Sequence, residues 1–187
     1  MSALLEFLSS YLSPLFSIAP YHLLFYSTLL GSALYQSFVM TKVAYLALPR
    51  SSFTTLQKKI FPLYFRGQAI LLVLTTVTFP PGSLVSMIQH KSDWIPLTVA
   101  GTTTLLNLMV YEPRTRKAMT ERIHQETRDA KVRAAASFEN REPSEEMKKL
   151  NRIFSRNHAM SIHLNLISMG ALVFYGFRLA SKIQVQA

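Results

Sequence analysis

LMVYEPRTRKAM, residues 108–119, is the stretch on which the fold turns. An apolar run over residues 94–111 stops at Glu112, Pro113 and Arg114. A carboxylate, a residue without a backbone N–H and a cation follow one another directly. Such an ending is either a plain membrane border or one wall of a polar site. The rest of the chain bears on both readings.

The chain has 187 residues, enough for one domain. It is 49% hydrophobic and only 16% charged. A soluble domain usually carries about 25% charged residues, so the shortfall points to a membrane. The net charge is +10. The basic residues fall between long apolar runs, which fits membrane topology and contact with anionic lipid headgroups. No motif for nucleic-acid binding accompanies them, and none is expected to be bound. Cysteine is absent, which excludes disulfides and thiol chemistry.

Working outward, four segments are long and apolar enough to span a bilayer: residues 21–48, 61–79, 94–111 and 159–177. The second and fourth are apolar or small nearly all round. A soluble bundle would give its helices a polar face at 3.6-residue spacing. The expected architecture is therefore all-α: a polytopic, four-transmembrane-helix bundle forming a single membrane domain. Residues 1–20 form an apolar segment without the basic flank of a cleaved signal peptide, read as a short helix lying on the membrane surface.

Residues 112–158 make a long, charged, helical loop between spans three and four. RTRKAMTERIHQETRDAKVRAAA has strong helix formers and no glycine. Pro113 suits either the first turn of a new helix or a kink that carries span three onward. Ser144 is an expected N-cap, followed by Glu145 and Glu146 in the first turn of a helix leading into span four. This loop carries twelve Lys and Arg, residues 49–60 carry three, and the connection between spans two and three carries only Lys91. Positive-inside bias puts the basic loops in the cytosol and both termini on the other side.

Polar residues inside apolar spans are costly and usually face the bundle interior. Here they gather at one level: Arg66 and Gln68, Asn107, Glu112 and Arg114, then His158, Ser161 and Asn165. Lys42 of span one lies at the same end. At a rise of about 1.5 Å per residue, Asn107 and Asn165 sit at similar depths and are expected to share amide hydrogen bonds. Glu112 needs a partner or a proton, and Arg66, Arg114 and His158 are the obvious partners. Snorkelling cations and interhelical amide bonds explain the same residues without any ligand. His158 and His163 are spaced i,i+5 and do not share a helix face, so no metal site is expected. No nucleophile constellation and no cofactor motif are present, so no enzyme activity is expected. Gly31, Gly101, Gly170 and Gly176 read as points of close helix approach.

Three stretches carry a family resemblance. LPRSSFTTLQKKIFPLYF at 48–65, EPRTRKAM at 112–119 and FSRNHAMSIHLNL at 154–166 resemble, in order, motifs of the transmembrane protein 205-like family. HLLFYSTLLGSALYQSFVM at 22–40 resembles its first span. The matching positions are Pro49, Arg50, Phe53, Gln57, Phe61, Pro62, Tyr64, Phe65, Glu112, Pro113, Thr115, Met119, His158, Ser161, Asn165 and Leu166. Ala159 departs from the family's usual glycine. The resemblance implies a small four-span membrane protein without an established activity. Animal members are associated with platinum-drug resistance, secretory vesicles and the cell surface. That implies membrane transport, export or vesicle trafficking, in the plasma membrane or secretory endomembranes. Four spans are few for a monomeric transporter, so a homo-oligomer is expected, and the sequence itself leaves a mitochondrial membrane open as a further location. A structural or scaffold protein, with the polar cluster as a lock and the basic loop as a docking surface, is the competing reading.

Overall fold

The computed structural model describes residues 15, 17–80, 84–136 and 142–182. The expected surface helix within residues 1–20 falls almost wholly outside them. All regular structure among the described residues is helical.

Helix α1 spans Ile18–Ala47. It ends because Leu48 precedes a proline and is pushed to extended backbone, φ −109°, ψ 145°. Pro49 then sits at the N-cap of α2, Arg50–Val77. The Leu-Pro pair thus makes a two-residue reversal between long helices. Residues 49–60, expected as a loop, are helical from Arg50 onward. Nothing in SSFTTLQKK breaks a helix, and Pro62 is carried inside it. Pro80 follows the end of α2. After the short α3, Leu84–Gln89, comes α4, Lys91–Leu106.

At Asn107 the chain does not stop. A π-helical turn, Asn107–Tyr111, joins α4 to α5, Glu112–Ala136, without leaving helical backbone. Pro113 explains why. Its ring would clash with the carbonyl four residues back and cannot donate to it. The wider turn just before it opens the ladder at that place. Pro113 therefore begins no separate helix: the helical backbone runs on through it, as the reading that carries span three onward expected. Finally α6 runs Glu145–Ser181 as a single 37-residue helix, capped by Ser144, whose Oγ accepts from Met147 N at 3.2 Å. At about 1.5 Å per residue it is longer than a bilayer core is thick.

Three helices are long and apolar enough to cross a membrane: Ile18–Ala47, Arg50–Val77 and Glu145–Ser181. Only 22% of each apolar window is buried within the protein. Their outward faces carry Leu24, Phe38, Leu46, Leu63, Ile70, Val73 and Phe177, all exposed. A water-facing bundle would place polar side chains there. The chain is thus built as a multi-pass membrane protein. The segment expected as the third span is a 16-residue α-helix before its π-helical turn. It packs most extensively along α6, as α5 does further on, while α1 pairs with α2.

The apolar core lies toward one end. Tyr26, Leu29, Leu72, Phe79, Leu97, Ala100, Leu172 and Tyr175 pack there. Among the glycines expected at close approaches, Gly31, Gly101 and Gly170 have open space where a side chain would sit. Gly176 alone is pressed, by the Tyr26 hydroxyl. The other three reflect tolerance of glycine, not contact.

Candidate functional site

At the other end of the bundle, four helices surround a cavity of about 460 Å³. Each contributes one face. From α2 come Phe53, Gln57, Lys58, Phe61, Tyr64 and Phe65, from α5 Glu112, Thr115, Arg116 and Met119, and from α6 Phe154, His158, Ser161, Ile162, Asn165, Leu166 and Met169. Within each set residues recur at spacings of three and four, with adjacent pairs such as Tyr64 and Phe65 or Ser161 and Ile162 straddling one helical face. The π-helical turn of α1, Tyr35–Met40, adds Gln36, Ser37 and Phe38, with Thr41 just after it. That turn is wedged open by Thr41, whose Oγ1 donates to Gln36 O at 2.8 Å.

The walls are mostly apolar and aromatic. Several polar groups on them have no partner. Gln57 is 3% exposed, and neither its Nε2 nor its Oε1 is hydrogen-bonded. Thr115 Oγ1 is likewise buried and unpartnered. Arg116 Nε stands 3.0 Å from Glu112 Oε1, an ion pair in which the N–H is not aimed well enough to satisfy that oxygen. Burial pushes the Glu112 carboxyl above the usual carboxylate range, while Arg116 and then Arg66 pull it back. Leaving a buried polar group unpaired costs about 1–3 kcal/mol. Three such groups in one cavity form a surface shaped to hydrogen-bond something.

One level deeper, a polar chain ties three helices together. Gln68 Nε2 donates to Tyr64 Oη (2.7 Å), which donates to Asn165 Oδ1 (2.8 Å). Asn165 Nδ2 donates to Ser37 Oγ at 2.9 Å. The expected pairing of Asn107 with Asn165 is not formed. Asn107 Nδ2 instead donates to the Ser161 backbone oxygen at 3.1 Å, because Asn165 is turned toward α1 and α2.

The sequence-level cluster is therefore split. Glu112, His158, Ser161 and Asn165 line the cavity, and Gln68 and Asn107 brace its floor. Arg66 and Arg114 are exposed and line no part of it. Glu112 pairs with Arg116, not with Arg114 or His158. Arg116 lies four residues on, on the same face, whereas Arg114 is rotated away from it. His158 stacks on Phe154, rings 5.3 Å apart and 17° from parallel. The motif positions Phe53, Gln57, Phe61, Tyr64, Phe65, Thr115, Met119 and Leu166 all face the cavity. Pro49, Pro62 and Pro113 shape the backbone beside it.

A family described as a domain of unknown function, DUF4149, matches residues 24–124. The chain belongs to the DUF4149 family. A relative in Aspergillus fumigatus, named xanthocillin biosynthesis cluster protein D, is 45% identical over 183 residues, covering 98% of this chain and 97% of its own. No solved structure matches. The DUF4149 segment holds the α1, α2 and α5 walls of the cavity. The α6 wall, from Phe154 to Met169, lies beyond it.

A second polar group escaped the sequence reading, which took the far halves of the spans as apolar. His22 is buried, with Nδ1 2.9 Å from Thr75 O and Nε2 2.7 Å from Tyr175 Oη. A carbonyl only accepts, so Nδ1 carries the proton and Nε2 accepts from the tyrosine. Nearby, the buried Asp93 meets Lys182 at 2.5 Å and Arg178 at 3.5 Å. Lys182 also lies over the Phe79 ring. No span-level pattern announces this group, since Lys182 and Asp93 stand 89 residues apart.

Proposed function

We propose that this DUF4149 protein crosses the membrane four times, with both termini on the non-cytosolic side, and binds an amphipathic small molecule in the four-helix cavity as part of its export or transfer. The buried, unpartnered Gln57 amide carries this reading. An amide held without partners among Phe53, Phe61 and Phe65 is a cost unless a ligand supplies both a donor and an acceptor. The aromatic walls favour a flat or chain-like apolar body. A relative named for a biosynthesis cluster fits a role beside small-molecule synthesis. No catalysis is assigned, and the carrier acts as a homo-oligomer, since four spans enclose little by themselves.

The test is thermal unfolding of the full-length protein in neutral detergent, with 2-naphthamide as probe and naphthalene as its control. Wild type should be stabilised by the amide and not by the hydrocarbon. Gln57→Leu should unfold later than wild type without probe, by roughly 1–3 kcal/mol, and ignore the amide. If Gln57→Leu is less stable and the probe moves neither protein, the ligand reading is wrong.

A second reading has its own support. The chain from Gln68 through Tyr64 and Asn165 to Ser37 ties α1, α2 and α6, as a scaffold's lock would. Gln68→Leu separates the two, because it removes the first link of that chain and lines no part of the cavity. A lock loses folding or expression, whereas a binding site keeps its fold and its response to the probe.

A further inference from the structure

Beside the first cavity lies a second, of about 830 Å³ and more polar. Phe53, Met119 and Phe154 line both, so the two adjoin through a shared wall. Three arginines face the second cavity: Arg50 at the start of α2, and Arg122 and Arg133 on α5. None forms an ion pair among the described residues.

Two acids, Asp129 and Glu126, share the cavity with the three arginines and leave an excess of positive charge. Asp129 lines the cavity, but its oxygens take hydrogen bonds from Ser144 and Gln125, both at 2.8 Å. Arg133 Nε donates only to the Asp129 backbone oxygen, at 3.2 Å. Glu126 raises the proton affinity of Arg122 without reaching it. Arg122 lies over the Phe154 ring, its guanidinium carbon 4.5 Å from the centre, and its Nε is buried with no partner. Burial and then the charge of Arg50 hold Arg122 below its ordinary value. Two guanidinium groups thus repel one another across a polar hollow, one with a donor unspent. Planar guanidinium donors match the oxygens of phosphate and carboxylate. The N-terminus of α2, without a side-chain cap, brings further positive potential to the same wall.

We propose that Arg50 and Arg122 form a binding site for a phosphate-type anion, placed so that an apolar tail on it enters the adjoining aromatic cavity. The anion comes either from a lipid headgroup or from a free phosphate. The site does not depend on the transport reading, since the arginines face their own hollow.

Full-length protein in neutral detergent is mixed with phosphatidylglycerol or phosphatidylcholine and examined by native mass spectrometry. A parallel arm follows thermal unfolding with inorganic phosphate. Arg50→Gln and Arg122→Gln are compared with Arg128→Gln, an exposed residue that lines neither cavity. Phosphatidylglycerol adducts several-fold above phosphatidylcholine, lost in the first two variants and kept in Arg128→Gln, support a lipid source. A rise in Tm with inorganic phosphate, with the same dependence on the variants, supports a free anion. Equal binding by wild type and Arg50→Gln in both arms, or equal loss in Arg128→Gln, overturns the site. Arg50 is exposed and stacks on nothing, so that variant decides the matter should Arg122→Gln fail to fold.

Discussion

Gly176 is the tightest of the described glycines. A methyl there would collide with the Tyr26 hydroxyl, which donates to Leu172 O at 2.9 Å. The glycine lets α1 and α6 meet closely enough for that bond. Gly176→Ala should cost about 1–3 kcal/mol, the usual range for overpacking a core. Tyr26→Phe removes the colliding atom, so the double variant should lose clearly less than the sum of the singles. Thermal unfolding of the four proteins in detergent measures both. Additive losses would mean that the two residues do not meet. Composition showed that Gly176 stood in a span, but nothing in one sequence separates it from Gly31, Gly101 or Gly170. Only the partner across the helix interface does. Glu112 is the converse case. Its need for a partner was legible from the cost of a buried carboxylate, and the partner, Arg116, stands at the ordinary i,i+4 spacing.

Among the elements, α5 and α6 are joined through Ser144. Its hydroxyl donates to Asp129 Oδ2 and accepts from Met147 N, so one side chain both caps α6 and clasps it to α5. The Ser144 hydrogen bond is the first cause holding Asp129 below its ordinary value, against slight desolvation. A carboxylate depressed in the folded state stabilises above its unfolded pKa and loses that contribution as pH falls through the folded one. Protection of the amides at the start of α6, taken relative to their intrinsic exchange rate at each pH, should therefore fall below about pH 4 and be full at neutral pH. Ser144→Ala should cost about 1 kcal/mol as a lost cap and remove this acid sensitivity. An unchanged acid response in Ser144→Ala would show that the clasp has no such role. The cap was legible as a Ser before two glutamates. The clasp was not, because it joins residues 15 apart across a turn. The cavity walls on α2, α5 and α6 were also legible, as motif positions recurring every three or four residues. The α1 wall was missed. Gln36 and Ser37 continue the buried face of His22, Tyr26, Leu29 and Ala33 at steps of three and four, so the repeat was present, but neither residue was singled out from the sequence.

Across the whole molecule, apolar faces look outward and polar groups are held at two ends. One end is closed by Asp93 with Lys182 and Arg178, and by His22 with Tyr175. The other opens into two adjoining cavities. Hydropathy carried the first fact, because outward faces bathed in lipid must be apolar all along. It could not carry the second, since both polar groups are assembled from helices distant in sequence. The segment before Glu112 illustrates the limit. Its apolar length reads as a span, yet as an α-helix it is short, and it gains its reach only through the π-helical turn.

That turn lets the chain change its length at one place. Met109 is exposed, so Met109→Ala should be nearly silent. Deleting Met109 removes the extra residue the wide turn accommodates and lets that turn close to a regular α-helix. Glu112, Thr115 and Met119 then keep their face toward the cavity. Far-ultraviolet circular dichroism should stay helical and stabilisation by 2-naphthamide should persist. A deletion mutant that loses that response would show that the turn does not absorb the change. The wide turn thus acts as a slack link: homologous chains can lose one residue across 107–111 without turning a wall residue away.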